Sequence, residues 1–152
     1  MSYSLAVLQD MIIAAAQEEL LPRFASVERQ HKRDGSVLTE ADLAVQSRLA
    51  AHLLQEWPDT LFLGEEMTTA EQAGLLASGQ PVWCLDPLDG TSNFAAGIPF
   101  FSVSLALLQK GKVLLGMVYD PVRNECFSAS PEQGARLNGA PLRVKQTGLE
   151  LK

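Results

Sequence analysis

Phe101-Ser102-Val103-Ser104-Leu105-Ala106-Leu107 alternates large apolar side chains with small ones, and Lys110-Gly111 follows before a second apolar run from Lys112 to Tyr119. Strict alternation is the period-two signature of a strand with one face on a core, and the short polar break reads as a hairpin turn. Working outward, Asp120-Pro121 and Asn124 mark another turn, Glu125 to Ala129 another strand, and Asn138-Gly139 a tight hairpin signal. The second half of the chain is therefore read as an antiparallel meander.

The first half carries a different period. From Ser4 to Leu21 the residues Leu5, Leu8, Ile12, Ala15 and Ala16 recur at helical spacing, with Pro22 where the helix stops or kinks. Thr39-Glu40-Ala41-Asp42 has the form of a capping box, although Glu or Gln is the usual closing residue, and it predicts a second helix to Pro58 with Leu43, Ser47, Ala50 and Leu54 as its packing stripe. Gln30 to Ser36 reads as a loop or hairpin tip, and Thr68 to Gln80 as a short helix and a loop. Thr60 to Leu63 and Val82 to Leu85 are short apolar runs that end abruptly at acidic residues, as buried strands delivering side chains to a site do. The expected fold class is α+β, a layered sandwich of two N-terminal helices on one face of a mostly antiparallel sheet.

Composition narrows the function. The 152 residues are 47% hydrophobic and 20% charged, the balance of one globular domain. A net charge of −6 argues against a nucleic-acid partner, but carboxylates bridged by divalent cations can still hold a small phosphate. With no 18-residue apolar run and no basic, apolar leader, neither a membrane span nor a secretion signal is expected. A cytoplasmic location is expected, with Cys84 and Cys126 as buried free thiols.

The chemistry concentrates in Asp86-Pro87-Leu88-Asp89-Gly90-Thr91. Pro87 biases Asp86 away from helical conformation, so the strand stays extended until it presents the first carboxylate. Asp89 is placed to fold back beside it in a tight turn, Gly90 permits positive φ, and Thr91, Ser92 and Asn93 are good helix N-caps. A helix starting there would aim free amides at the space above the carboxylates. The plainer alternative is an Asp-Gly turn and a helix cap with both carboxylates solvated. Glu65 and Glu66, after Gly64 at the end of the other short strand, are either a further oxygen ligand for the same metal or exposed loop residues.

Taken together these residues resemble the inositol monophosphatase family, within the magnesium-dependent, lithium-sensitive sugar phosphatase superfamily. Its signature Asp-Pro-Ile/Leu-Asp-Gly-Thr-x-Asn-Phe is matched by Asp86 to Phe94, with Ser92 where Thr is usual. Gly64-Glu65-Glu66 matches the upstream acidic motif, and Val37 to Asp42 matches the Val-Thr-x-x-Asp element with one extra residue. Gly97 to Ser104, Gly116 to Pro121 and Gly134 to Gly139 follow in the family's order. The resemblance implies that Glu65, Asp86 and the Leu88 carbonyl bind one magnesium and that Asp86 with Asp89 binds a second, within a set of two or three ions. It implies that Gly90 and Thr91 amides hold the phosphate of a small phosphorylated substrate, with Glu65, Leu88 and Asp89 bordering it. Thr91, hydrogen-bonded to Asp42, would orient the attacking water. Asp42 has a compatible role in the cap of the second helix, and the basic cluster His31, Lys32, Arg33 is read as solvated loop.

The family also supplies an aspartate from a Trp-Asp-x-Ala-Ala/Gly motif, whereas here Trp57 precedes Pro58 and Trp83 precedes Cys84. The expectation is that residues 1–152 form the N-terminal α+β domain of a longer phosphatase, its C-terminal domain absent, and a mean hydropathy of +0.05 fits a domain lacking the partner of one apolar face. The family resemblance also implies a homodimer. The expected substrate is myo-inositol monophosphate. Alternatives are 3'-phosphoadenosine nucleotides, fructose bisphosphate or histidinol phosphate, and, in another class, a noncatalytic metal-binding or interaction domain.

Overall fold

The structure is a computed structural model that describes residues 3–24, 26, 30–31, 37–64, 67–131 and 133–144. Helix α1 spans Leu5–Ala15, started by the Ser4 side chain, which accepts from the Val7 amide at 3.4 Å. It buries Leu8, Ile12 and Ala15, as the periodicity predicts. The helical path is not uniform to Leu21, however. A π turn, Ala16–Leu20, and a single 3-10 turn, Leu21–Arg23, continue it. Pro22 lacks an amide proton and its ring crowds the preceding turn, so the regular hydrogen-bond ladder ends there.

Strands β1 (Gln30–His31) and β2 (Val37–Leu38) pair antiparallel. Lys32 and Arg33 lie outside the described residues. Helix α2, Glu40–Glu56, buries Ala41, Val45, Leu49 and Leu53, one residue per turn. This corrects the expected stripe: Leu43 is 46% exposed and Leu54 39% exposed, with Ser47 also on the outer face. A second row at helical spacing, Leu43, Ser47, Ala50 and Leu54, runs beside the first, and only contact with the sheet decides which row is core. Arg48 reaches Glu18 at 2.7 Å and Glu19 at 3.2 Å, tying α2 to the π turn.

The remaining elements are β3 (Leu61–Leu63), α3 (Thr69–Ala77), β4 (Val82–Asp89), α4 (Thr91–Ala95), β5 (Ser102–Gln109), β6 (Lys112–Asp120), β7 (Glu125–Ser130), β8 (Gly134–Leu137) and β9 (Ala140–Pro141). From β3 to β9 they form a sheet in chain order. Only β3–β4 is parallel, which requires the α3 crossover, and every other neighbour is antiparallel. The α+β class and the meander are as read from the sequence. Lys110-Gly111 and Asn138-Gly139 both take positive φ at each residue, the turn geometry that matches strand twist.

Period-two alternation sends Val103, Leu105, Leu107, Leu115, Met117, Tyr119 and Cys126 into one core with the helices. Trp83 lies at its centre, in ring contact with Tyr3 and Trp57 at centroid distances of 5.7 and 5.3 Å. Both cysteines are free thiols, Cys126 buried and Cys84 half-buried, and burial pushes the Cys126 thiol up to about 11. Among the described residues no helix is long and apolar enough to cross a membrane.

The adjacent leucines of α2 test the assignment of its core face. Leu53→Ala should cost about 2–5 kcal/mol and Leu54→Ala less than about 1 kcal/mol, read from urea unfolding midpoints.

Candidate functional site

Strand β4 does not stop at Leu85 as the acidic boundary suggests, but continues to Asp89. Asp86 pairs with Ser104 and Asp89 with Ser102, so three steps on β4 are matched by two on β5. The extra residue is a bulge, and Pro87, which has no amide proton for the ladder, lies within it. Asp89 therefore does not fold back in a tight turn beside Asp86; the bulge re-aims the strand between them. Leu88 is 1% exposed and anchors the segment in the core, while Asp86 is half-buried and Asp89 exposed. An Asp86 carboxylate oxygen, Oδ1, accepts from the Leu88 amide at 3.2 Å.

Gly90 ends the strand at φ 91° and is itself the N-cap of α4, a place the sequence reading gave to Thr91, Ser92 or Asn93. A Cβ at Gly90 would lie 2.9 Å from the Phe100 carbonyl oxygen, so both conformation and space demand glycine. Helix α4 has five residues, too few for much macrodipole, and any anion affinity here rests on the amides of the turn themselves. Behind it, Phe24, Phe94 and Phe101 form an aromatic cluster with centroid distances of 5.5, 5.0 and 4.9 Å. Such contacts contribute about 0.5–1.5 kcal/mol each beyond area burial, and they fix the floor on which the turn rests.

Asp42 reaches the turn from α2. It is 2% exposed, and its Oδ2 accepts from the Thr39 amide at 2.8 Å and from the Thr39 hydroxyl at 2.6 Å. Its Oδ1 faces Thr91, whose hydroxyl donates to it at 3.3 Å and to the Leu88 carbonyl at 2.9 Å. One hydroxyl has one proton, so these two acceptors compete, and the shorter contact is to Leu88. Burial raises the Asp42 carboxyl above the ordinary range; hydrogen bonds from Thr39 and Thr91 only partly oppose it. The cap role and the Thr91 contact thus coexist on one carboxylate.

The structure brings Asp42, Asp86, Leu88, Asp89, Gly90 and Thr91 to one end of β4. Glu65 and Glu66 lie outside the described residues. Strand β3 ends at Leu63, opposite Cys84, two residues before Asp86. The Asp86 and Asp89 carboxylates with the Leu88 carbonyl form an all-oxygen donor set, the type that suits magnesium. Among the described residues no group of three or more acidic, histidine or cysteine side chains gathers closely enough to hold an ion. The donors fit magnesium in kind, and Glu65 is the further carboxylate that the sequence nominates.

Sequence reading missed the bulge and a cavity of about 320 Å³ beside the turn, lined by Asp89, Gly90, Asn93, Phe100, Val118 and Asp120. Pro87 between two strand carboxylates was the available signal for the bulge. The cavity had a fainter one: alternation puts Ser102, Val118 and Phe127 on the sheet face away from the helices.

The chain belongs to the inositol monophosphatase family, whose sequence profile matches residues 3–152. It is 41% identical over 115 residues to inositol monophosphatase 2 of Solanum lycopersicum, covering 76% of this chain and 43% of that protein. To the Nus factor SuhB of Pseudomonas aeruginosa it is 40% identical over 127 residues, covering 80% of this chain and 46% of the relative. Among solved structures, the IMPase of Thermotoga maritima superposes with a TM-score of 0.81 at 30% identity, covering 94% of this chain and 54% of that one. The chain thus spans about half the length of the proteins it matches.

The raised Asp42 carboxyl has a definite sign in stability. Between the unfolded carboxylate's pKa and Asp42's higher folded value, the folded state holds more protons, so Asp42's contribution is complete at low pH and is lost as pH rises through the folded pKa. Asp42→Asn should escape that loss, and its stability relative to the parent should rise across the window when urea midpoints are compared from about pH 3 to about pH 7.

Proposed function

We propose that these residues serve a magnesium-dependent phosphomonoesterase that hydrolyses a small phosphorylated substrate, with myo-inositol monophosphate as the first candidate. The observation that carries the reading is the Asp42–Thr91–Leu88 hydrogen-bond set at the tip of β4, directly between Asp86 and the Asp89-Gly90 turn. Family membership supports it.

Asp86, Asp89, the Leu88 carbonyl and Glu65 would hold magnesium, which supplies charge to neutralise the phosphate oxygens and lowers the pKa of a coordinated water. The amides of Gly90 and Thr91 bind the phosphate and orient the phosphorus for in-line attack. With its proton turned to Asp42, the Thr91 hydroxyl keeps its lone pairs for the attacking water and fixes that water's direction. Asp42, which accepts from the Thr91 hydroxyl, takes up the proton that the water passes through Thr91. No phosphorylated side chain is required. The proposal carries with it a set of two or three ions, lithium sensitivity and homodimeric assembly, each drawn from the family, together with the cytoplasmic location expected from the sequence.

A second reading has one observation in its favour: a relative of similar identity is named a Nus factor rather than a phosphatase. In that reading the fold serves an interaction and the turn is a structural remnant.

Phosphate release from myo-inositol monophosphate with and without magnesium discriminates the two, measured on this chain and on one extended to its relatives' length. Asp89→Asn in the extended chain should lower turnover about 10²-fold or more, the scale on which losing one charge-stabilising group acts, with thermal stability kept. Unchanged turnover in that variant favours the interaction reading. Full activity of the 152 residues alone contradicts the need for further ligands.

A further inference from the structure

Asn93 belongs to the signature but has no part in the chemistry assigned above. Its side chain leaves α4 and donates to the Phe100 carbonyl at 2.9 Å, while its own carbonyl accepts from the Ile98 amide at 2.9 Å and the Ala96 amide at 3.1 Å. Asn93 thus ties the return from α4 to β5 at both its start and its end, beside the Gly97 amide's bond to the Phe94 carbonyl at 3.1 Å. Phe100 is 67% exposed, so little side-chain packing holds that segment, yet its carbonyl oxygen lies beside Gly90, 2.9 Å from where a Cβ there would sit. The Phe100 amide donates to the Ile98 carbonyl at 2.8 Å, which bends the segment tightly and turns the Phe100 carbonyl toward both Asn93 and Gly90.

Resting on the proposed function, we infer that Asn93 is a positioning residue for phosphate. By fixing the Phe100 carbonyl it holds the 97–100 return beside Gly90, and the φ of 91° at Gly90 decides where the Gly90 and Thr91 amides point. Without the Asn93 tie the exposed 97–100 return relaxes, Gly90 gains access to other conformations open to glycine, and the two amides no longer converge. The effect falls on phosphate binding, since Asp42 and the Thr91 hydroxyl are held from α2 and the Leu88 carbonyl instead.

The test is an amide-resolved NMR titration of the 152-residue chain with inorganic phosphate in the presence of magnesium, comparing the parent with Asn93→Ala. Asn93→Ser stands in should the alanine variant fail to fold. Expected are shifted Gly90 and Thr91 resonances in the free variant and roughly tenfold or greater loss of phosphate affinity, the range seen when a supporting hydrogen bond behind a binding group is cut. Asn138→Ala is the control: it removes side-chain bonds to the Cys126 amide and the Asn124 carbonyl at the far strands and should leave both readouts unmoved. Unchanged phosphate affinity in the Asn93 variants, with the parent showing phosphate-dependent shifts at Gly90 and Thr91, overturns the positioning role alone. A parent that shows no such shifts, in this chain and in one extended to its relatives' length, overturns the phosphate reading and the role of Asn93 with it.

Discussion

Strand β4 must stay hydrogen-bonded to β5 while carrying a proline and two carboxylates, and the bulge between Asp86 and Asp89 is how it does so. A regular ladder would spend a donor that Pro87 lacks. Slipping one residue removes that demand, seats Leu88 in the core and leaves the strand's last carboxylate in the open. Most of the candidate site hangs from this segment: the Leu88 carbonyl, the left-handed Gly90 and the Thr91 hydroxyl follow one another along the chain.

The rest of the domain holds that segment from the core face. At the start of β4, Trp83 packs with Tyr3 and Trp57, and beyond its end Phe94 and Phe101 pack with Phe24. From the same core, α2 delivers Asp42, whose position is fixed because Thr39 occupies its other oxygen. A buried carboxylate of this kind is costly unless its hydrogen bonds are satisfied, and here the same bonds that cap a helix satisfy it. The structural use of Asp42 and the chemical one proposed for it are therefore inseparable, which is why its replacement is read through pH dependence rather than through stability at one pH.

How far the sequence discloses this structure depends on whether a feature is local. The meander was legible because alternation in Phe101 to Leu107 and turn chemistry at Lys110-Gly111 and Asn138-Gly139 are properties of neighbouring residues. The core face of α2 was not, since Ala41, Val45, Leu49 and Leu53 compete with a second row at helical spacing, and the choice is made by a sheet formed later in the chain. At the site, the residue types and their order pointed to Asp42, Asp86, Asp89, Gly90 and Thr91. The bulge and the Asn93–Phe100 bond were hidden, because each depends on how one segment seats against another, whereas the Thr39–Asp42 contacts are the local capping box that the sequence announced.

The central claim is that the end of β4 gathers divalent-cation ligands beside a phosphate-binding turn. Substoichiometric Mn2+ added to isotopically labelled chain tests it directly, because the paramagnetic ion broadens only the amides near where it binds. The account predicts that broadening begins at Asp86, Leu88, Asp89, Gly90 and Glu65, and that magnesium reverses it. Broadening that starts elsewhere on the surface, or that leaves Asp86 to Gly90 sharp, would contradict it.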